Sequence, residues 1–340
     1  MRRTMRLAVA AGAAFVGLAL AGPALAAYSP RLIVTSISNS PGRPTTMLLG
    51  HLQDVNDDAT AKDTIYAPLG YTATLTQAPN TKIGDVSATV VLRGGGGAQV
   101  DVEGQVVADN PATWATQAAQ CTQVATHEAV WRLDVTIAGT PLMIPIYVDH
   151  ATGAEATFAS VKIQLCLAGP VGTPAGAQLL FALFDVNGVF TSPTNTTDRI
   201  WRATFTPYLP GTATPNPGGT TEGQALVPGR VSLKLAAKSF RHGRIVLSGR
   251  LLVDGRAFPR ATVDIYVGNK RVARVKTNST GRFKVRKRIK KKTRYRAVVT
   301  VVGDLATCTA TPLPSVPQGC KTSTIAFVAA SNSVLARRRR

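Results

Sequence analysis

Acidic residues are scarce in the last third of this 340-residue chain. Residues 230–340 contain 27 Lys and Arg but only three acidic residues, Asp254, Asp264 and Asp304. Residues 27–229 contain 15 acidic residues and 9 Lys and Arg, so the two parts carry net charge of opposite sign. This asymmetry predicts two domains and a polyanionic partner for the basic one.

The sequence also lacks the common catalytic motifs. It has no G-x-S-x-G nucleophile elbow, no H-E-x-x-H zinc motif and no S-x-x-K motif. The run Gly94–Gly97 lies between two predicted strands and indicates a hairpin loop rather than a phosphate cradle, which would open a helix. We therefore expect a protein that is not an enzyme and needs no cofactor. The alternative is a secreted hydrolase or glycan-active enzyme with an unrecognised site in the first domain.

Long hydrophobic runs are missing except at the start. Leu7–Gly22 follows three arginines and precedes Pro23–Ala26, whose small residues fit a signal-peptidase site. The run is shorter than the roughly 20 residues of a membrane-spanning helix. We predict a signal peptide over residues 1–26 and a secreted, extracellular protein without a transmembrane segment, which associates with the cell wall if the basic domain binds there.

Cysteine is rare, and its four positions agree with export. Cys121 and Cys166 lie in the acidic part, whereas Cys308 and Cys320 lie in the basic part. Pairing within each part is the simplest of the three possible connectivities. Zinc binding is disfavoured, because no C-x-x-C spacing or nearby His pair occurs.

Proline and glycine concentrate between Pro207 and Gly229, where the charge also changes sign. Such a stretch predicts a linker. The expected organisation is an acidic β-sandwich domain (27–208), a linker (209–228), a basic immunoglobulin-like domain (229–330) and a basic tail (331–340).

Short runs rich in Val, Ile, Thr and Tyr recur between turn signals, which predicts an all-β fold of two sandwiches. Asn187-Gly188 and Gly268-Asn269 each predict a two-residue hairpin turn. Ala138–Pro141 predicts another turn, which would place Ile137 opposite Leu142 and Val130 opposite Asp149. Thr113–Ala119 predicts one short helix.

The basic domain contains three segments of a recognisable pattern. They are Gly249–Gly255 (GRLLVDG), Ala261–Val267 (ATVDIYV) and Val275–Val285 (VKTNSTGRFKV). Residues 231–302 thereby resemble bacterial immunoglobulin-like modules of the fibronectin and CNA-B type, which implies a sandwich but no particular ligand. The whole chain resembles uncharacterised secreted proteins of high-GC Gram-positive bacteria.

Two polar groups have residue types that bind metals. Asp54, Asn56 and Asp58 have the spacing that opens a calcium loop, but Ala59 and Ile65 replace the expected Gly and Glu, so a solvated turn is favoured. His127, Glu128, Asp149 and His150 are expected at the open end of one hairpin. Alternate strand residues point to opposite faces, which favours a polar hairpin end over a metal site.

Three tryptophans raise the question of sugar binding. Trp131 and Trp201 lie in apolar runs and predict core positions. Trp114 lies in a polar segment and is the one candidate for a surface platform. Aromatic residues make up only 6% of the chain, which argues against a dedicated glycan-binding face.

The densest basic segment alternates in character. Phe283, Val285 and Ile289 share one parity, and Lys287 interrupts their row. On a strand the other parity faces outward. The predicted polyanion-binding residues are Arg282, Lys284, Arg286, Arg288, Lys290, Arg294 and Arg296.

A row of like charges attracts polyanions in a salt-dependent way. Outside a cell, the expected partners are anionic wall polymers or acidic surfaces. Nucleic acid is disfavoured, because export and the lack of interleaved aromatics argue against it. Two alternatives stay open: a basic face that only keeps the protein soluble, as in a structural spacer, and docking of the acidic domain onto the basic one.

Overall fold

The computed structural model describes residues 28–37, 41–93, 96–137, 139–170, 177–194, 199–308 and 320–338. The predicted signal peptide lies outside these ranges, as do the side chains of Cys308 and Cys320. We call residues 28–227 the first half and residues 229–338 the second half.

The described residues of the first half form twelve strands and one α-helix. The strands are β1 (Arg31–Ser36), β2 (Pro44–Leu52), β3 (Thr60–Pro68), β4 (Thr72–Ala73), β5 (Lys82–Leu92), β6 (Ala98–Asp109), β7 (Ala129–Ile137), β8 (Thr140–His150), β9 (Ala159–Cys166), β10 (Ala177–Thr191), β11 (Ile200–Pro207) and β12 (Thr221–Leu226). The helix α1 (Ala115–Thr122) lies where a short helix is predicted. The disulfide predicted between Cys121 and Cys166 is present and ties α1 to β9.

These strands are hydrogen-bonded in the order β1-β2-β10-β5-β6-β7-β8-β9-β3-β11-β12, with β4 beside β10. The sheet folds back on itself, because β12 comes close to β1: a methyl group added at Gly223 would lie 3.2 Å from the backbone nitrogen of Leu32. One hydrophobic core, with Trp131, Trp201 and Phe190 fully buried, fills the interior. The all-β prediction is confirmed.

Two predicted turns differ from the structure. Asn187 and Gly188 lie within the continuous strand β10, where the register against β2 shifts between Asn187 and Phe190. The hairpin turn would need both residues at positive φ, but only Gly188 has it, at 67°. One residue in this conformation forms a β-bulge, so the hairpin prediction is wrong here.

The β7–β8 hairpin is present, but its register is different from the predicted one. Ile137 pairs with Thr140 rather than Leu142, and Val130 pairs with Tyr147 rather than Asp149. The connection is therefore two residues long, with Gly139 at φ 81°. Two-residue turns are the commonest hairpin connections because their twist matches that of the strands, and Gly139 supplies a positive φ for one.

In the second half, the described ranges contain nine strands in two layers. They are β13 (Val231–Ser239), β14 (Arg244–Val253), β15 (Arg256–Ala257), β16 (Thr262–Val267), β17 (Lys270–Lys276), β18 (Arg282–Arg288), β19 (Thr293–Cys308), β20 (Cys320–Ala330) and β21 (Val334–Ala336). One layer joins β14 to β13, β15 and β18, and the other joins β17, β16, β19 and β20, with β21 beside β19. Side chains from both layers share a second hydrophobic core. The predicted turn at Gly268-Asn269 is confirmed, since Val267 pairs with Lys270.

Strand pairing joins the two halves. Part of the predicted linker is the strand β12, whose Ala225 and Leu226 pair in parallel with Thr324 and Ile325 of β20. This proline-free segment of the predicted linker thus contributes backbone hydrogen bonds that the proline content of the flanking residues concealed. Among the described residues, one ion pair, between Arg31 and Asp304, crosses the junction. The domain boundaries themselves stay a prediction.

Candidate polyanion-binding site

The strand β18 exposes its charged side chains as the alternation predicts. Arg282, Lys284, Arg286 and Arg288 are exposed, whereas Phe283 is buried in the second core. The strand ends at Arg288, so Lys290 is exposed in the following loop rather than in the row.

Neighbouring strands enlarge this row into a face. Through the strand register, Arg282 lies opposite Arg250, and Arg288 lies opposite Arg244. On the far side of β14, Arg250 also lies opposite Lys234. We call the outward surface of β13, β14 and β18 the basic face; its exposed cations are Lys234, Lys238, Arg244, Arg250, Arg282, Lys284, Arg286 and Arg288.

Small side chains occupy the middle of the basic face. Ala236 lies opposite Ser248, which in turn lies opposite Lys284, and Val246 lies between Lys238 and Arg286. The long cationic side chains therefore surround a shallow depression in the middle of the basic face. Two open grooves follow this shape, one of about 1100 Å³ over the Arg250 end and one of about 610 Å³ over the Arg244 end.

Carboxylates are absent from this face in the described part of the chain. Asp254 accepts hydrogen bonds from the backbone nitrogens of Gly229 and Arg230, at 3.3 and 2.7 Å. Asp264 binds Arg274 on the other layer, and Asp304 binds Arg31. All three acidic residues of the second half are thus engaged elsewhere, and no ion pair involves the eight described cations of the basic face.

Besides Lys290, two of the predicted polyanion-binding residues do not lie on the basic face. Arg294 and Arg296 belong to β19, which is in the other layer of the second half. Arg296 lies opposite Tyr266 of β16, on the outward side of that layer. Of the seven predicted residues, four therefore lie in the row on β18, Lys290 lies in the following loop, and two lie on the other layer, across the second core. Sequence parity alone could not separate them, because it gives the side of a strand but not the sheet to which the strand belongs.

The polar hairpin end is made of two pairs. The Nδ1 atom of His127 lies 2.7 Å from Asp149, and the Nδ1 atom of His150 lies 2.6 Å from Glu128. Thr122 contacts the other ring nitrogen of His127 at 2.9 Å, but its oxygen also accepts a hydrogen bond from the backbone nitrogen of Val124. The threonine is thus held by the end of α1, and the cluster closes this end of the hairpin.

The segment Asp54–Asp58 forms a turn. One carboxylate oxygen of Asp54 accepts hydrogen bonds from the backbone and side-chain nitrogens of Asn56, at 2.9 and 2.8 Å. Among the described residues, no group of three or more His, Cys, Asp or Glu side chains has an arrangement that could hold a metal ion.

Trp114 is not a surface platform. It is only 8% exposed and packs with Ala118, Val130 and Tyr147. Its indole nitrogen donates a hydrogen bond of 2.9 Å to Asp109. The polar sequence around it conceals this pocket, because the apolar partners come from β7 and β8. Trp131 and Trp201 are fully buried, as predicted.

Sequence reasoning missed a buried polar cluster in the first half. His51 is 4% exposed; its Nδ1 atom lies 3.0 Å from Asp63, and its Nε2 atom lies 3.1 Å from the side-chain oxygen of Gln53. Thr60 donates to the same Gln53 oxygen at 2.6 Å, and the Gln53 nitrogen donates to the backbone oxygen of Asp58 at 3.0 Å. Both ring nitrogens therefore face acceptors, which is the environment of a protonated imidazolium.

The charge balance around His51 agrees with this protonation. Burial disfavours the charge, but attraction to Asp63 and the hydrogen bonds with Asp63 and Gln53 together raise the pKa of His51 above its ordinary 6.5. The only sequence signal for this cluster is the polar pair His51 and Gln53 in an otherwise apolar run, and nothing in that signal identifies Asp63 as the partner.

Fold and site together define an all-β protein with a basic sheet face on its second half. No protein family model and no curated protein matches the chain. Among solved structures, the D00-D0 domain of Intimin is similar at 10% sequence identity, over 78% of this chain and 98% of that one, with a TM-score of 0.19. None of the helices in the described ranges has the length and apolar character needed to cross a membrane.

Proposed function

We propose that this chain is a secreted, non-catalytic cell-envelope protein that binds an anionic wall polymer electrostatically. The observation that carries the proposal is the basic face: eight exposed cations without an ion-pair partner among the described residues. The predicted signal peptide supports the location, and the absence of familiar catalytic motifs in the sequence supports a binding role.

The geometry of the basic face favours a linear polyanion. Alternate residues along a strand lie about 6.6–6.8 Å apart, so the four cations of β18 extend over about 20 Å. Arginine supplies five of the eight cations, and its guanidinium group binds phosphate and carboxylate oxygens in a bidentate manner. The small residues in the centre leave room for the polymer backbone between the charged side chains.

Binding of the full chain to purified cell walls tests the proposal. Full-length protein is appropriate because β12 and β20 pair across the junction. We expect the wild-type protein to pellet with walls at low salt and to be released at high salt, since each contact releases counterions. Retention at high salt would contradict an electrostatic mechanism.

A matched pair of variants locates the binding surface. The basic-face triple changes Lys284, Arg286 and Arg288 to Gln; the control triple changes Arg256, Lys270 and Lys292, which are exposed but lie outside the face. If a flexible polymer behaves like single-stranded nucleic acid, the logarithmic salt slope falls by about 0.7 for each lost contact, or about 2 for the triple. Equal slopes for the two triples would support a basic surface that serves solubility or spacing only.

A further inference from the structure

A second cationic surface lies on the other side of the second half. The outward side of β16, β17 and β19, which we call the opposite face, carries Arg271, Arg274, Arg294 and Arg296. Its described carboxylates are Asp264, which binds Arg274 at 2.8 Å and Arg271 at 3.5 Å, and Asp304 near the far end of β19, which binds Arg31. Two of the four cations, Arg294 and Arg296, therefore have no ion-pair partner in the described part of the chain.

The strand register brings these cations together. Tyr266 of β16 lies between Arg271 of β17 and Arg296 of β19, and Arg294 is two residues from Arg296 on the same side of β19. On the next row of this surface, Asp264 lies opposite Arg274. The opposite face thus has a compact positive cluster around a half-buried aromatic ring.

The two faces cannot serve one short ligand at the same time. Phe283 and Leu247 point inward from the basic-face layer, and Val263 and Ala297 point inward from the other layer, all into the second core. Packed sheets are separated by about 10 Å, so hydrophobic side chains fill the space between the faces. A polymer that contacts both faces has to wrap around an edge of the sandwich.

We propose that the opposite face is a second polyanion-binding surface, so that one molecule bridges two anionic polymer chains. The inference rests on the proposed function of the basic face and adds a cross-linking activity to it. Two sites on opposite sides of a rigid sandwich favour bridging between chains, because a second binding event on the same chain requires the polymer to bend around the edge.

Two populations of beads coated with inorganic polyphosphate test the inference, one magnetic and one fluorescent. We expect full-length wild-type protein to make fluorescent beads sediment with magnetic beads, with a maximum at intermediate protein concentration, because excess protein occupies each polymer separately. Binding to magnetic beads alone is measured in parallel. If the protein binds neither population, the proposed function fails; if it binds without bridging, only the inference is overturned.

Variants separate the two faces. The opposite-face triple changes Arg271, Arg294 and Arg296 to Gln, and its comparison is the basic-face triple together with the control triple. We expect each face triple to reduce bridging at least tenfold while it still binds magnetic beads, and the control triple to bridge like the wild type. Melting temperatures check that all variants fold. Wild-type bridging by the opposite-face triple would overturn the inference, since a dimer bound through the basic face alone would behave in that way.

Discussion

The two halves of this protein treat charge in opposite ways. In the first half, charged side chains meet partners: Arg132 contacts both Asp109 and Asp134, and the buried His51 contacts Asp63. In the second half, like charges lie directly opposite each other, as Arg250 does with Arg282 and Arg244 with Arg288. Paired charges therefore support folding in the first half, whereas the like-charge pairs of the basic face oppose folding of the second half.

Substitution of Asp63 should have the largest effect on this comparison. Asp63→Asn leaves the His51 imidazolium in the core without its counter-charge, and loss of one partner of a buried pair costs about 3–5 kcal/mol. Chemical denaturation measures the change in the free energy of unfolding. The matched control is Asp101→Asn, because Asp101 is exposed on β6 and should change stability by less than about 0.5 kcal/mol. Equal effects of the two variants would show that the first half does not depend on its buried pair.

The second-largest effect is expected in the pH dependence of the free energy of unfolding. Because the folded-state pKa of His51 lies above 6.5, its protonation stabilises the protein fully below pH 6.5, and this contribution is lost as pH rises through the folded pKa. We expect the difference in unfolding free energy between wild type and His51→Gln to decrease as the pH rises from 6.5 through the folded-state pKa of His51. His242→Asn is the control, since His242 is exposed at φ 57°, a conformation that Asn tolerates. A constant difference across the range would mean that His51 is neutral in the folded protein.

The sequence predicts local features of this molecule better than non-local ones. Alternation over Arg282–Arg288 gives the exposed side of β18, because the side-chain period of a strand is two and needs no knowledge of its neighbours. The separation of Arg296 from that row depends on strand pairing, which alternation does not contain. Likewise, Gly188 at positive φ fits both a hairpin turn and a bulge, and the pairing of β10 with β2 on both sides of it decides for the bulge.

The buried polar cluster around His51 also depends on contacts between distant strands, which a local sequence pattern does not reveal. His51 and Gln53 are two residues apart at the end of β2. The carboxylate that contacts His51, however, is Asp63 of β3, and the aromatic ring that packs on His51 is Phe205 of β11. These contacts exist only because the sheet folds back on itself. At Asp54–Asp58, where a solvated turn is favoured over a calcium loop, the residues form a turn whose Asp54 carboxylate accepts hydrogen bonds from Asn56.

The smallest expected effect has the most direct bearing on function. Arg282→Glu and Arg288→Glu each replace a like-charge pair across the strands by an opposite-charge pair, with Arg250 and Arg244 respectively. Cross-strand pairs contribute roughly 0.2–1 kcal/mol, so each variant should increase the free energy of unfolding by that order at low salt, and less as salt screens the charges. The same variants should weaken binding to anionic polymer.

Lys270→Glu is the control for these gains, because Lys270 is exposed, lies opposite Val267 and belongs to neither face, so reversal of its charge removes no like-charge pair across the strands. Denaturation at low and high salt, with polymer binding measured on the same samples, compares the three variants. A gain in stability joined to a loss of binding would mean that the basic face is kept at the expense of folding, which a surface that serves solubility alone does not require. Destabilisation by Arg282→Glu and Arg288→Glu would instead place the second half with the first, as a region whose charges support its fold.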